Sequence, residues 1–226
     1  MNSSELVDPQ GWDTYWTQKN SGGYFYAAAA TLYRVLLFRP YLSYILKRHF
    51  KPQTRLLHAG CGSGQVDAEI PKSFRVTALD ISPHALEFYK RSVKAECEVV
   101  PGSILDLPFP EATFDGIYNL GVMEHFSWEE IGKILSQFHR VLVPQGRIVL
   151  FWPPENGLTV RFFKIAVWLG RKILNKELNF HPPEPSRIQS VSQVTEALTQ
   201  HGFKLVEYRF GPRDLFTYGV VVAERI

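Results

Sequence analysis

From about residue 54 onward, short apolar runs alternate with longer amphipathic ones. TRLLHAG, FRVTALD, ECEVVPG, FDGIYNLG, GRIVLFW, KLVEYRF and LFTYGVVVAE are rich in β-branched, aliphatic and aromatic residues, which predicts strands. Helical patterns lie between them. QVDAEI predicts a brief helix. SPHALEFYKRSVKA predicts a longer one, with Ser82 as N-cap and Pro83 at the first helical position. SWEEIGKILSQFHRVLVPQG starts at Ser127 with Glu130 placed for a capping box. VSQVTEALTQHGF is closed by Gly202. Such alternation gives a mostly parallel sheet with helices on both faces. The last two strands are joined only by GPRD, too short for a helix, so they pair as an antiparallel hairpin at one edge.

Two stretches stand outside this rhythm. Residues 1–50 read as a helical N-terminal lid rich in aromatics, among them Trp12, Tyr15, Trp16, Tyr24, Phe25 and Tyr26. Pro40 is expected to separate two helices there, because proline ends the ladder of helical hydrogen bonds. The second stretch is 156–189, a cap inserted in the main domain of residues 51–226. It contains LTVRFFKIAVWLGRKILNK, with Arg161, Lys164, Arg171, Lys172 and Asn175 near one face. Phe162, Ile165, Leu169 and Ile173 fall near another. Proline-rich HPPEPS follows.

Composition narrows the class. The 226 residues suffice for one full core, and 45% hydrophobic with 21% charged residues indicates a globular fold. A net charge of +3 does not by itself call for nucleic acid. The two cysteines, Cys61 and Cys97, lack metal-type spacing and suit a reducing cytoplasm; no metal site is expected. The N-terminus lacks a secretory pattern. The most apolar window is interrupted by Arg34, Arg39 and Pro40, a poor match to a membrane-spanning helix.

The candidate chemistry begins at LLHAGCGSGQ. A strand, a glycine-rich turn and a helix set backbone N–H groups at the carboxyl end of a parallel sheet, where ligands bind. Gly60, Gly62 and Gly64 allow sharp bends and close approach. Asp80, about 20 positions after Gly60, closes the second strand, where a carboxylate can accept both hydroxyls of a ribose. The third glycine comes one position too early for the dinucleotide pattern. A nucleoside-containing cofactor follows.

With LLHAGCGSG, TALDIS, GSILDLPFPEATFDGIYNLGVMEHF and RVLVPQGRIVLFWPP in this order, the chain resembles the class I S-adenosylmethionine-dependent methyltransferases. The branch it is most similar to includes quinone-biosynthesis and other small-molecule enzymes. The resemblance covers about residues 54–155, with a similar tail from 190. It implies an α/β, Rossmann-like, doubly wound seven-stranded sheet, mostly parallel with an antiparallel edge strand, plus the helical lead-in and the insertion after strand 5. The implied cofactor is S-adenosyl-L-methionine, with S-adenosyl-L-homocysteine as product. Gly60, Cys61, Gly62 and Gly64 would line its methionine part and Asp80 would hold the ribose. Ile81 and Ile104 would flank the adenine, with Ser103 beside its edge, and Asn119 and Leu120 would face the sulfonium region.

Two positions depart from the family. His58 stands where an acidic residue is usual, near the cofactor's amino group. Ser103 replaces the usual aspartate. Both can still accept a hydrogen bond, without the gain of a charge.

A sulfonium methyl needs only alignment with a nucleophile and exclusion of water, and proximity can supply about 7–11 kcal/mol. His125 is the candidate general base, because it follows the fourth strand and titrates near neutrality. The expected substrate is a small, apolar or lipid-like molecule. The insertion's cations and aromatics suit an apolar pocket cap or a peripheral membrane contact. Arg34, Arg39, Lys47, Arg48 and Lys51 of the lead-in could share that surface or meet an anionic substrate. The alternatives are a nucleic-acid methyltransferase and a non-catalytic cofactor-binding protein. NLGV stands where base-modifying amino-methylases carry an Asn-Pro-Pro-aromatic motif, and no basic recognition module is appended, so nucleic acid is not expected.

Overall fold

The computed structural model describes residues 11–13, 31–70, 72–158, 160 and 184–226. Seven strands form one sheet: β1 (Arg55–Ala59), β2 (Arg75–Asp80), β3 (Glu98–Pro101), β4 (Phe114–Leu120), β5 (Leu142–Trp152), β6 (Phe203–Arg209) and β7 (Gly219–Arg225). Their spatial order is β3-β2-β1-β4-β5-β7-β6. Only β7, one strand in from the edge, is reversed; it pairs antiparallel with both β5 and β6. The connection to β7 is longer than GPRD. It includes a short 3-10 turn, Pro212–Asp214, and left-handed Leu215 and Phe216.

Strand alternation divides the sheet into two faces. Leu56, Val76, Tyr118, Val149, Phe151, Val220 and Val222 face one way, under helix α1 (Arg39–His49) with its buried Tyr41, Leu42, Ile45 and Leu46. Helix α2 (Pro83–Ser92) covers Ala78 on the same face with Leu86 and Tyr89. On the other face, Leu57, Leu79, Ile117, Ile148, Leu150 and Val221 pack against helices α3 (Trp128–Val141) and α4 (Val191–Gln200). Each such aliphatic side chain gains about 1.5–3 kcal/mol by leaving water.

The predicted caps are present. The Ser82 hydroxyl accepts from Ala85 N–H, and Pro83 opens α2. Ser127 and Glu130 form the reciprocal capping box of α3. Gly202 follows α4 at φ +76°. Ser127→Ala removes an acceptor that no neighbour replaces, so a loss of about 1 kcal/mol is expected, read as a lowered urea midpoint at unchanged slope.

Two expectations fail. Pro40 does not separate helices: a π-helical turn, Arg34–Phe38, runs directly into α1. Arg39 N–H bonds Arg34 O, five residues back. The wider turn accommodates a proline ring that would press on the preceding carbonyl in a regular helix. Residues 65–70 are successive turns, not a helix: Asp67 N–H bonds Gly64 O and Ile70 N–H bonds Asp67 O. Val66, Asp67 and Ile70 are all drawn inward there.

Most of the lead-in and most of the insertion helix lie outside the described residues. The return from the insertion is pinned beside the end of β5: Pro154 bridges Ile188, and Trp152 Nε1–H donates to Ser186 O at 2.6 Å. Among the described residues, no helix is long and apolar enough to cross a membrane.

Candidate functional site

The strand order reverses between β1 and β4, so their connections leave in opposite directions and open a crevice at the carboxyl ends. A cavity of about 280 Å³ occupies it. Its wall begins with the turn after β1. Gly60 and Gly64 have φ of +79° and +66°, where a side chain is strained. A Cβ on Gly64 would also stand 2.6 Å from the Tyr89 ring. The turn is tied to β2. Gly60 N–H and Cys61 N–H both donate to Leu79 O, at 2.8 and 2.9 Å. Asp80 Oδ2 accepts from Gly62 N–H at 2.8 Å, and its Oδ1 accepts from Ser82 N–H at 2.9 Å. Burial raises the Asp80 carboxyl above its usual range, and these two backbone donors oppose the rise. The Cys61 thiol is also pushed well up, first by burial and then by the Asp80 charge, which leaves it a small packing residue.

Behind the turn lies a polar knot. His58 Nδ1–H donates to Asp67 Oδ2 at 2.6 Å. The same oxygen accepts from the hydroxyls of Tyr89 at 2.7 Å and Tyr118 at 2.9 Å. The His58 ring stacks on Tyr118, with centroids 4.3 Å apart. Burial, then the Asp67 charge, lifts both tyrosine phenols, so both remain donors. Asp67 is fully buried behind the cavity lining, while His58 reaches the lining itself. The chain thus does have a carboxylate at this end of β1, one residue layer deeper than the sequence suggests.

The lead-in meets the opposite lip. Asp13 accepts from Ser82 Oγ at 2.6 Å, and from the backbone N–H and Nδ1 of His84 at 3.2 and 2.7 Å. The Ser82 bond, foremost, lowers its carboxyl. Trp12 sets its ring edge-on to His125, centroids 5.1 Å apart. Residues 12 and 13 therefore span from the start of α2 to the turn after β4. Arg34 lines the cavity, and Arg39 donates twice to Gln65 O, at 3.1 and 2.7 Å. These two arginines face the glycine turn and do not join Lys47 and Arg48 on an outer surface.

Beyond β4 the wall is made by Val122, Glu124, His125 and Phe126, with Glu184 from the returning insertion and Tyr218 from the approach to β7. Arg187 holds Glu184 at 2.7 Å. Burial foremost, then the Glu184 charge, holds the Glu124 carboxyl well above the usual carboxylate range.

The cavity brings together His58, Gly60, Cys61, Gly62, Gly64, Asp80, Ile81, Ser103, Ile104, Leu120 and His125. Asn119 is the exception. It alternates with Tyr118 and Leu120, so its side chain enters the opposite face, where both amide atoms are buried without a partner among the described residues. His181, which opens HPPEPS and could cover the pocket, lies outside the described residues. Trp12 and Arg34 of the lead-in also line the cavity, as do Glu184 and Tyr218, which carry no local signal in the sequence. Among the described residues no cluster could hold a metal ion.

Comparison with known proteins agrees with this geometry. Residues 57–150 match the family model described as a methyltransferase domain. A demethylmenaquinone methyltransferase from Symbiobacterium thermophilum is 32% identical over 115 residues, 47% of this chain and 45% of that one. The chloroplastic 2-methyl-6-phytyl-1,4-hydroquinone methyltransferase of Arabidopsis thaliana is 31% identical over 122 residues, 52% of this chain and 36% of that one. The chain spans about half or less of the length of these two relatives. The magnesium protoporphyrin IX methyltransferase of Synechocystis PCC 6803, solved with bound SAH, has the same fold. Its TM-score is 0.62 at 15% identity, covering 83% of this chain and 81% of that one.

Proposed function

From the premise that residues 57–150 are a class I methyltransferase domain, we propose that the chain transfers a methyl group from S-adenosylmethionine to a small, apolar acceptor of the quinol or lipid kind. The cavity carries this reading. It runs from the Asp80 carboxylate, past a turn of bare backbone, to an apolar wall at Val122 and Phe126. The residues fit an adenosyl sulfonium better than a pyrophosphate. Among the described residues Arg34 is the one Lys or Arg that lines the cavity, whereas carboxyl groups line it at Asp80, Glu124 and Glu184.

When bound, S-adenosylmethionine supplies an activated methyl. The chain's own part is binding and exclusion of water. Asp80 offers its remaining lone pairs to the ribose diol. Gly60, Gly62 and Gly64 leave room for the methionine part. Ile81 and Ile104 bracket the base. Trp12 and Asp13 support the reading of the lead-in as a lid, since they join two walls of the crevice. His125 lines the acceptor side of the cavity.

Titration calorimetry with S-adenosylmethionine, then transfer of a labelled methyl to demethylmenaquinol, fatty acids and tRNA, tests the proposal. Binding followed by label in the organic extract is expected. Transfer to tRNA overturns the acceptor class, and absence of cofactor binding overturns the enzyme.

A further inference from the structure

The wall after β4 holds a group that the reading above leaves idle. Glu124 is 4% exposed, and among the described residues its buried Oε2 has no hydrogen-bond partner. It lines the cavity beside His125, Glu184 and Tyr218. Gly121, beneath it, has no Cβ. One built there would stand 2.9 Å from the Tyr218 hydroxyl and 3.4 Å from Glu124 Oε1, so phenol and carboxyl share the space this glycine leaves. A buried carboxyl with one oxygen unmet is costly to ionise unless a positive charge is brought close to it.

Sheet order says which part of a ligand arrives there. Asp80 ends β2 and Ser103 follows β3, on one side of β1; Glu124 follows β4 and Tyr218 precedes β7, on the other. A nucleoside held at Asp80 therefore extends its 5′ substituent past the glycine turn toward Glu124. We propose that Glu124 is the proton-accepting group of this site: it loses its proton when the cationic sulfonium binds, and regains one from the methyl acceptor. The proposal rests on the cofactor reading above.

The charges around Glu124 set the direction. Glu184 disfavours its ionisation, and the Arg187 guanidinium favours it. Arg187 is itself shared between Glu184 and Glu155, at 2.7 and 3.3 Å. Tyr218, its phenol raised by burial and by Glu124, stays neutral. His125 is the adjacent residue, and Arg34 and His58 line more distant parts of the wall. In the free protein the burial of Glu124 and the missing donor at its Oε2 favour the un-ionised acid. A fixed positive charge brought against it favours the carboxylate, and the proton leaves to solvent.

That carboxylate then faces the place where an attacking O–H or N–H must stand. As the acceptor bonds the methyl carbon, the carbon–sulfur bond breaks with its electron pair on sulfur, and the acceptor's proton passes to Glu124. A neutral thioether is left beside a neutral acid. The proton shed on binding is the one the reaction as a whole produces.

Calorimetry in buffers of different ionisation enthalpy counts the protons, with S-adenosylmethionine and S-adenosylhomocysteine as probes on the full chain. The two share every group except the charged methyl centre. S-adenosylmethionine is expected to release more, approaching about one additional proton per site. The sign follows from linkage: a group whose pKa falls on binding sheds protons, so affinity rises with pH. The ratio of the two affinities should climb by up to about tenfold per pH unit and level off once Glu124 is ionised in the free protein. Glu124→Gln should erase the difference and leave S-adenosylhomocysteine affinity unchanged, whereas His125→Gln should keep the difference. Equal proton counts in the unmodified protein overturn the proposal and leave the cofactor reading standing, as does a difference that survives in Glu124→Gln or vanishes in His125→Gln. Failure of the unmodified protein to bind either probe overturns both. The comparison of the two probes at several pH values needs no variant, so it decides the matter even where Glu124→Gln folds poorly.

Discussion

Asp67→Ala is expected to destabilise the fold by about 3–5 kcal/mol, the range for breaking a buried charged network from one side. Three donors converge on Asp67 Oδ2: His58 Nδ1–H, the Tyr89 hydroxyl and the Tyr118 hydroxyl. Alanine strands all three where water cannot reach them, since His58 is 2% exposed and both tyrosines are fully buried. The damage reaches two strands and a helix, because the three donors come from β1, α2 and β4. Asp67→Asn keeps the side-chain shape and one acceptor oxygen, and its amide nitrogen can take the place of Oδ1, which has no partner among the described residues. Its cost should be well below that of alanine. Tyr118→Phe removes one donor together with its hydrogen bond and should cost only about 1 kcal/mol. Urea unfolding of the three variants checks the order. Equal losses for alanine and asparagine would mean that volume, not hydrogen bonding, holds the knot.

This knot marks where reading the chain by itself stops. Signals that act within one turn of backbone were legible: Ser82 with Pro83, Ser127 with Glu130, and Gly202 behind α4. The strand rhythm was legible too, because strands covered on both faces are continuously apolar. Asp67 was not, because its partners lie 9, 22 and 51 residues away and nothing local distinguishes it from a surface aspartate. The same network explains why 65–70 fails to become a helix: an anchored inward carboxylate overrides local propensity. Pro40 misled for the opposite reason, since a π turn removed the clash on which the proline rule depends. Asn119 misled by parity alone, because one position along a strand changes the face. Of the candidate site, the glycine turn, Asp80 and His125 could be found from motif and spacing. Asp13, Arg34, Glu184 and Tyr218 come to the crevice only through the crossing of distant segments, and the partners of Asp13 lie 69 and 71 residues on.

Asp80→Ala is expected to separate binding from stability in the way Asp67→Ala does not. The side chain is 8% exposed and holds the N–H groups of Gly62 and Ser82. Burial raises its carboxyl in the free protein, so the charged form already stands at a desolvation cost that the variant is spared. The loss of two backbone bonds is partly offset, and the unfolding midpoint should move little. Cofactor affinity has no such offset. The ribose diol loses a charged acceptor, and the Gly62 N–H that shaped the turn is released. Hydrogen bonds to a charged group contribute about 1.5–3 kcal/mol each, so two lost to the diol weaken binding by about 10²–10⁴-fold. Because the lost contacts belong to the sugar, 5′-methylthioadenosine, which keeps the ribose and lacks the amino-acid part, should weaken by the same factor as S-adenosylmethionine. Calorimetric titration of both ligands against the parent and the variant decides it. A loss confined to S-adenosylmethionine would move the role of Asp80 from the ribose to the methionine end and, with it, reverse the orientation on which the placement of Glu124 depends.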